Sequence, residues 1–318
     1  MKFETRVTEL LNIKYPIIQG GLAYLAYSEL AAAVSNAGGL GQITAMTLPS
    51  PEALREEIKK VKSLTDKPFG VNYAIGQHGR PYESMVQVAI DEEIPVISVT
   101  GGNPKGVLDM VKGHPIKKLV LVAARRQAKK AEELGADAVM VVGQEGGGHL
   151  GRSDVGTFIL TPQVVDHVSI PVIASGGIAD GRGFMAALSL GAEGIEMGTR
   201  FIATKECLAH ANYKQAIIDA EEEGTAVIKR SIGAPARVLK GPFAEKILEI
   251  EKQQLGYESL KDYISGKVNH LYIQEGDDTE GFGWAGQSAA RIHDIPTVDN
   301  LIESLIREAT EIRNHWAK

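Results

Sequence analysis

Eight short, continuously apolar runs recur along the first two thirds of the chain, with helix-like stretches between them. They are PIIQG (16–20), LGQITA (40–45), FGVNY (69–73), VISVTG (96–101), KLVLVA (118–123), AVMVVG (138–143), VIASGG (172–177) and GIEMGT (194–199). Runs that do not alternate apolar with polar residues are typical of parallel strands buried on both faces. Eight such strands, separated by helices, predict a closed α/β barrel, a (β/α)8 TIM barrel, rather than an open sheet.

After the eighth run the regular alternation stops. Residues 205–290 mix helix patterns with polar turns, which predicts an appended helical subdomain. The last segment has apolar residues at three- and four-residue steps, which predicts an amphipathic helix packed back on the barrel. Its stripe consists of Ile302, Leu305, Ile306, Ala309, Ile312 and Trp316. We therefore divide the chain into a barrel, 1–204, and a C-terminal helical subdomain, 205–318, which includes the last helix.

Charge and composition narrow the classes of partner. The chain of 318 residues carries 34 basic and 40 acidic residues, a formal net charge of −6, with neither sign gathered into a long run. A nucleic-acid partner is therefore not expected, and a small molecule is. No apolar run approaches the roughly 18 residues of a membrane span, and the charged start MKFETRVTEL is unlike a signal peptide, so we expect a cytoplasmic protein without a membrane partner. Cys207 is the single cysteine, too few for a disulfide or a structural zinc site.

Glycines gather where the predicted strands end. In this kind of barrel the chemistry lies at the C-terminal ends of the strands, and glycine there lets a ligand approach the main chain. The loops after the seventh and eighth strands are the usual phosphate site of the fold. Gly176 and Gly177 follow the seventh strand, and Gly198 and Thr199 follow the eighth. Ordinary turns also favour glycine, but the convergence on one rim favours a phosphorylated ligand: a sugar phosphate, a nucleotide or a flavin.

Several segments together resemble a known family. They are PIIQGGLAYLAYSELAAAVSNAGGLG, LTDKPFGVN, EGGGHLG, IASGGIADGRG, GAEGIEMGTRFIATKE and AGQ (285–287), and they run in order over nearly the whole chain. The set is similar to the nitronate monooxygenases, formerly called 2-nitropropane dioxygenases. The same superfamily contains flavin-dependent enoyl-acyl-carrier-protein reductases and NADH:quinone reductases, and the segment QEGDDTEGFGWAG resembles the quinone-reductase branch.

The resemblance implies a barrel that binds FMN non-covalently. It places Gly176, Gly177, Gly198 and Thr199 at the phosphate, Gln19, Gly20, Gly21 and Asn72 at the flavin ring, Gln144, Gly147 and Gly148 at the ribityl side, and Gln287 closing the site. The chain departs from the family at the fifth strand, where some members carry a lysine. Here the sequence reads KLVLVAARRQ, so Arg125 or Arg126 is the nearest basic residue.

His149, in the stretch GQEGGGHLGR (143–152), is the candidate catalytic residue. Imidazole titrates near neutrality, so it can accept a proton from a carbon acid, donate to a developing anion or orient an anionic substrate. The alternative is a structural histidine that caps the loop. The other histidines, His78 among them, lack such a setting and should mostly lie on the surface. Tyr24 and Trp284 are candidates to line the substrate side, with a core or lid contact as the alternative for each.

The resemblance leads to three hypotheses for function. The first is an FMN-dependent oxidoreductase that oxidises alkyl nitronates with dioxygen to a carbonyl compound and nitrite. The second is reduction of the same FMN by NAD(P)H, with a quinone or an enoyl thioester as the oxidant. The third is a phosphate-ligand binding protein without turnover. A homodimer is a candidate assembly in each case.

Overall fold

Eight parallel strands form the centre of the molecule in the computed structural model, which describes residues 3–76 and 81–317. The strands are β1 (Ile17–Gln19), β2 (Gly41–Thr44), β3 (Phe69–Ala74), β4 (Val96–Thr100), β5 (Lys117–Val122), β6 (Ala138–Val142), β8 (Val172–Ser175) and β9 (Gly194–Met197). Their order in the sheet is β1-β9-β8-β6-β5-β4-β3-β2. Leu40 joins the two ends, since it donates to the carbonyl of Ile17 and accepts from the N–H of Gln19. The predicted TIM barrel is confirmed.

Helices alternate with these strands and cover the outside of the barrel. They are α1 (Arg6–Leu11), α2 (Ser28–Asn36), α3 (Pro51–Leu64), α4 (Glu83–Asp91), α5 (Lys105–Met110), α6 (Arg125–Glu133), α7 (Thr157–Val165), α8 (Gly181–Ser189) and α9 (Thr199–Ile202). Strands β2, β6, β8 and β9 are buried throughout, because helices cover one face and the barrel interior the other.

The segment after the barrel contains the expected helices and, in addition, part of a small sheet. Its helices are α10 (Ala211–Ile218), α11 (Pro242–Lys252), α12 (Tyr257–Leu260), α13 (Gly266–Glu275) and α14 (Val298–Trp316). Two further strands, β10 (Thr225–Ile228) and β11 (Ala236–Leu239), form an antiparallel hairpin. β11 also pairs with β7 (Gly148–His149), which belongs to the loop after β6. The hairpin therefore holds the loop that carries His149, and the division at residues 204 and 205 stays a proposal.

The last helix packs against α8 and α2, as its apolar stripe predicts. Ile302, Leu305, Ile306 and Ala309 are buried. The stripe ends there, because Ile312 is only partly buried and Trp316 in the final turn is 81% exposed. The prediction that Trp316 belongs to the buried stripe is therefore wrong. No helix within residues 3–76 and 81–317 is long and apolar enough to cross a membrane.

Candidate active site

An open cavity of about 250 Å³ lies at the C-terminal ends of the barrel strands. This is the rim at which TIM barrels place their chemistry. Predicted site residues from six segments of the chain line it: Gly20, Gly21, Asn72, Gly147, Gly148, His149, Gly176, Gly177, Gly198, Thr199 and Trp284. The structure therefore brings together residues that are separated by up to 264 positions in the chain, from Gly20 to Trp284.

Four predicted site residues do not line the cavity. Their side chains or main-chain groups contact other parts of the protein instead. Gln19 is buried inside the barrel, and Gln144 donates to the carbonyls of Gly151 (3.1 Å) and Ser153 (2.8 Å) in its own loop. Gln287 has an exposed side chain, and its main-chain N–H donates to the carbonyl of Glu145. Tyr24 packs edge-on against His270, with ring centres 5.5 Å apart.

The loops after β8 and β9 offer unpaired main-chain donors. Gly176 and Gly177 have φ angles of +89° and +78°, the left-handed region that favours glycine. A Cβ on Gly176 would lie 2.9 Å from the nitrogen of Gly146, so a side chain has no room there. The N–H groups of Gly176, Gly177 and Gly198 have no hydrogen-bond partner among the described residues. Such N–H groups at a cavity suit an anion.

A chain of buried polar groups fixes the orientation of Asn72. Gln42 donates its Nε2 to the carbonyl of Gln19 (2.9 Å), which leaves its Oε1 to accept from the hydroxyl of Ser98 (2.6 Å). Ser98 can then only accept from Asn72, whose Nδ2 donates to Ser98 and to Thr100, both at 2.8 Å. Since the amide hydrogens of Asn72 are both used, its Oδ1 is left as an acceptor beside Gly21 at the cavity wall.

His149 contacts a lysine that sequence reasoning missed. The Nζ atom of Lys229 lies 3.0 Å from Nε2 of His149, and the Trp284 ring lies against the imidazole with ring centres 5.4 Å apart. One side of His149 is exposed toward the cavity, and burial of the rest of the ring, together with the Lys229 charge, lowers the pKa of His149 to about 4. Burial likewise lowers the pKa of Lys229 to about 8. At neutral pH the imidazole is therefore uncharged and the lysine is protonated.

Two carboxyl groups also line the cavity. Glu145 lies in the glycine loop, and its carboxylate accepts from the N–H and the hydroxyl of Thr157, at 2.8 and 3.0 Å, at the start of α7. Glu196 on β9 is buried, and burial raises the pKa of its carboxyl despite a hydrogen bond with Ser175. Sequence reasoning missed Glu196, although an acidic residue inside an otherwise apolar strand was a usable signal.

The sequence offered Arg125 or Arg126 as the basic residue nearest the end of the fifth strand. Arg125 contacts His167 (3.0 Å), and neither Arg125 nor Arg126 lines the cavity. Within the described part of the chain, no group of three or more His, Cys, Asp or Glu side chains could hold a metal ion. Cys207 is buried, and burial raises the pKa of its thiol to about 11. His78 lies outside the described residues.

The chain is similar to a known protein family and to proteins of known structure. The family model described as nitronate monooxygenase matches residues 4–80 and 73–308. A probable nitronate monooxygenase of Staphylococcus saprophyticus is 34% identical, over 99% of this chain and 100% of its own length. The solved structure of FabK from Thermotoga maritima is 42% identical with a TM-score of 0.90, covering 99% of this chain and 98% of that one. A nitroalkane oxidase from Streptomyces ansochromogenes is 27% identical with a TM-score of 0.83, covering 98% and 99%.

Proposed function

Because the chain belongs to the nitronate monooxygenase family of oxidoreductases, we propose that it is an FMN-dependent enzyme that oxidises alkyl nitronates with dioxygen. The products would be a carbonyl compound and nitrite. The observation that carries the proposal is the pair formed by His149 and Lys229, a neutral imidazole and an ammonium 3.0 Å apart at the cavity. A positive charge beside a neutral donor suits a substrate that arrives as an anion.

The residues present fit FMN. Unpaired N–H groups at Gly176, Gly177 and Gly198 would hold the phosphate, in loops where an added Cβ would press on neighbouring protein atoms. The Oδ1 of Asn72 would accept from an N–H on the polar edge of the flavin, because its own amide hydrogens are engaged. Gly20, Gly21, Gly147 and Gly148 supply bare main chain around the rest of the cavity. When bound, FMN supplies the electron transfer and the dioxygen chemistry.

In the reaction, the protein binds and orients the substrate and supplies a hydrogen bond to it. His149 can bind a nitronate oxygen through a ring N–H, and Lys229 favours the negative charge of the substrate. The Trp284 ring packs against the imidazole on one side and so restricts its rotation. The proposal includes a cytoplasmic location and a homodimer, and size-exclusion chromatography tests the latter.

Anaerobic mixing separates this function from its main competitor. The FMN-loaded protein is mixed in turn with ethyl nitronate, NADH and NADPH, and the visible absorbance of the flavin is followed. Fast bleaching by the nitronate, together with slow bleaching by NADH and NADPH, supports nitronate oxidation. Fast bleaching by NADH or NADPH, with a slow response to the nitronate, contradicts it.

The purified protein should be yellow and should release FMN when it is denatured by heat. The reason is the set of unpaired N–H groups in the loops after β8 and β9, which suits a phosphate monoester. Chromatography of the released material against FMN, FAD and riboflavin standards identifies it. A colourless protein that does not become yellow after incubation with FMN would contradict the proposal.

A second candidate is NAD(P)H-dependent reduction of an enoyl thioester or a quinone. Glu196 favours it, because burial raises the pKa of its carboxyl at the cavity and so favours the protonated form, and this reaction consumes a proton whereas nitronate oxidation does not. The match to FabK, at higher identity than the match to the nitroalkane oxidase, is consistent with it. The bleaching by NADH or NADPH described above would select this candidate.

A further inference from the structure

We propose that Lys229 is a positioning residue that makes His149 a hydrogen-bond donor toward the cavity, so that the site takes substrates that are already anions and does not deprotonate neutral carbon acids. The inference about the ring rests on the contact between the two side chains and on a protonated Lys229. The inference about the substrate rests on the proposed function.

The contact fixes which nitrogen of the imidazole carries the proton. A lysine ammonium has three hydrogens and no lone pair, so it can only donate. Its Nζ lies 3.0 Å from Nε2 of His149, and Nε2 must therefore accept. A neutral ring that accepts at Nε2 carries its hydrogen on Nδ1. Nδ1 has no partner among the described residues and is the nitrogen available to a ligand.

The fold holds Lys229 in place for this contact. Lys229 directly follows β10 and has a φ angle of +65°, a left-handed conformation that is unfavourable for a residue with a Cβ. Its main-chain N–H donates to Glu251 on α11 (2.7 Å), and the other oxygen of that carboxylate accepts from Ser231. The residue is only 6% exposed. Strain that is held by a dedicated contact, directly behind a residue that lines the cavity, points to a role beyond packing.

The surrounding charges support a protonated lysine at neutral pH. The groups that face Lys229 are His149 on β7, Glu251 on α11 and the ring of Trp284, whose centre is 5.6 Å from Nζ. The next residue, Arg230, is paired with Asp154 at 2.9 Å. Burial lowers the pKa of Lys229 to about 8, and the Glu251 charge opposes this. Lys229 therefore stays a donor below that pH and can become an acceptor above it.

The consequence for the substrate follows from the proton on Nδ1. A nitrogen that already carries a hydrogen cannot take one from a carbon acid, so His149 cannot deprotonate a neutral nitroalkane. The same N–H can donate to the oxygen of a nitronate. The substrate class is therefore a conjugated oxyanion of the nitronate type.

Nuclear magnetic resonance of the FMN-loaded protein, with ¹⁵N in its histidine rings, tests the inference without relying on turnover. The His149 signals are assigned by their loss in His149→Ala. At pH 7 we expect the Nδ1–H form of a neutral ring in the unmodified protein. This form should weaken as the pH rises through about 8, where Lys229 loses its proton. An Nε2–H form at pH 7 would overturn the proposal, and this measurement needs no Lys229 variant.

The variant Lys229→Met removes the donor and keeps much of the length of the side chain. We expect the His149 ring to lose its Nδ1–H preference and its pKa to rise, while burial keeps the pKa below the ordinary value. Lys229→Arg, which keeps a charged donor, should restore the Nδ1–H form, and Arg230→Met is the control next in the chain. An unchanged tautomer and pKa in Lys229→Met would overturn the proposal.

Turnover separates this inference from the proposed function. Reduction of bound FMN by ethyl nitronate should fall at least about tenfold in Lys229→Met, the loss expected for a hydrogen bond to a charged group. Neutral nitroethane should react slowly with the unmodified protein. Fast reduction by nitroethane would overturn the inference about the substrate. If the Nδ1–H form is found but no nitronate reacts, nitronate oxidation fails and the inference about the ring stands.

Discussion

Replacing His149 with alanine should leave FMN bound and slow the reduction of FMN by ethyl nitronate by about 10²- to 10³-fold, the usual cost of removing one hydrogen-bond donor to a reacting oxyanion. The imidazole lines the cavity but is separate from the unpaired main-chain N–H groups of Gly176 and Gly177. The affinity for FMN should therefore hardly change. The measurement is stopped-flow reduction of the bound FMN under anaerobic conditions. His114→Ala is the control, because His114 is exposed and precedes β5 at the opposite end of the barrel.

The choice of substrate distinguishes the roles of His149. A large defect with nitroethane but a small one with its preformed nitronate would identify His149 as a base. A large defect with the nitronate itself identifies a donor, which is the result we expect from the contact with Lys229. Since the pKa of His149 is about 4, the rate with the nitronate should show no histidine titration between about pH 5 and 7. Joint loss of FMN and thermal stability in His149→Ala would instead show a structural role.

Replacing Gly177 with valine should weaken FMN binding by about 100-fold. A displaced N–H loses a hydrogen bond to a charged group worth about 1.5–3 kcal/mol, and about 3 kcal/mol corresponds to about two factors of ten in affinity. The strain of a side chain in the left-handed region, roughly 1–2 kcal/mol, lowers the stability of the fold instead. Titration of the cofactor-free protein with FMN, followed by flavin fluorescence, measures the affinity.

A second glycine provides the matched control for strain. Gly113 has a φ angle of +86°, and a Cβ there would meet nothing within 4 Å. It lies in the turn before β5, away from the cavity. Gly113→Val should lose a similar amount of stability and keep its affinity for FMN. Equal affinity in both folded variants would show that the cofactor phosphate binds elsewhere.

The barrel and much of its rim could be predicted because both depend on local sequence. Eight apolar runs identify the strands, and the glycines that follow them, such as Gly176 and Gly177, mark the rim. Side chains at the rim were harder to predict. Gln144 follows a strand as expected, but its amide binds the carbonyls of Gly151 and Ser153, so its position in the sequence does not reveal its orientation.

Contacts over long distances in the chain could not be predicted. Lys229 is 80 residues from His149, and the pair meets only because β11 pairs with β7. The hairpin has two four-residue strands, of which β10 is mostly half-buried and β11 is buried, and its pattern did not stand out among the helices around it. Glu196 was visible as an acidic residue in an apolar strand, but its contact with the cavity depends on the closure of the barrel.

The pairing of β7 with β11 puts the glycines of the cavity rim and the surroundings of His149 in two different parts of the chain. The rim glycines belong to the barrel, whereas the surroundings of His149 come largely from the hairpin and from Trp284. A substitution in the hairpin can change the environment of the histidine and leave the rim glycines unchanged. Relatives that keep the rim and exchange the hairpin could thus acquire a different substrate by a short evolutionary path, without having to rebuild the barrel.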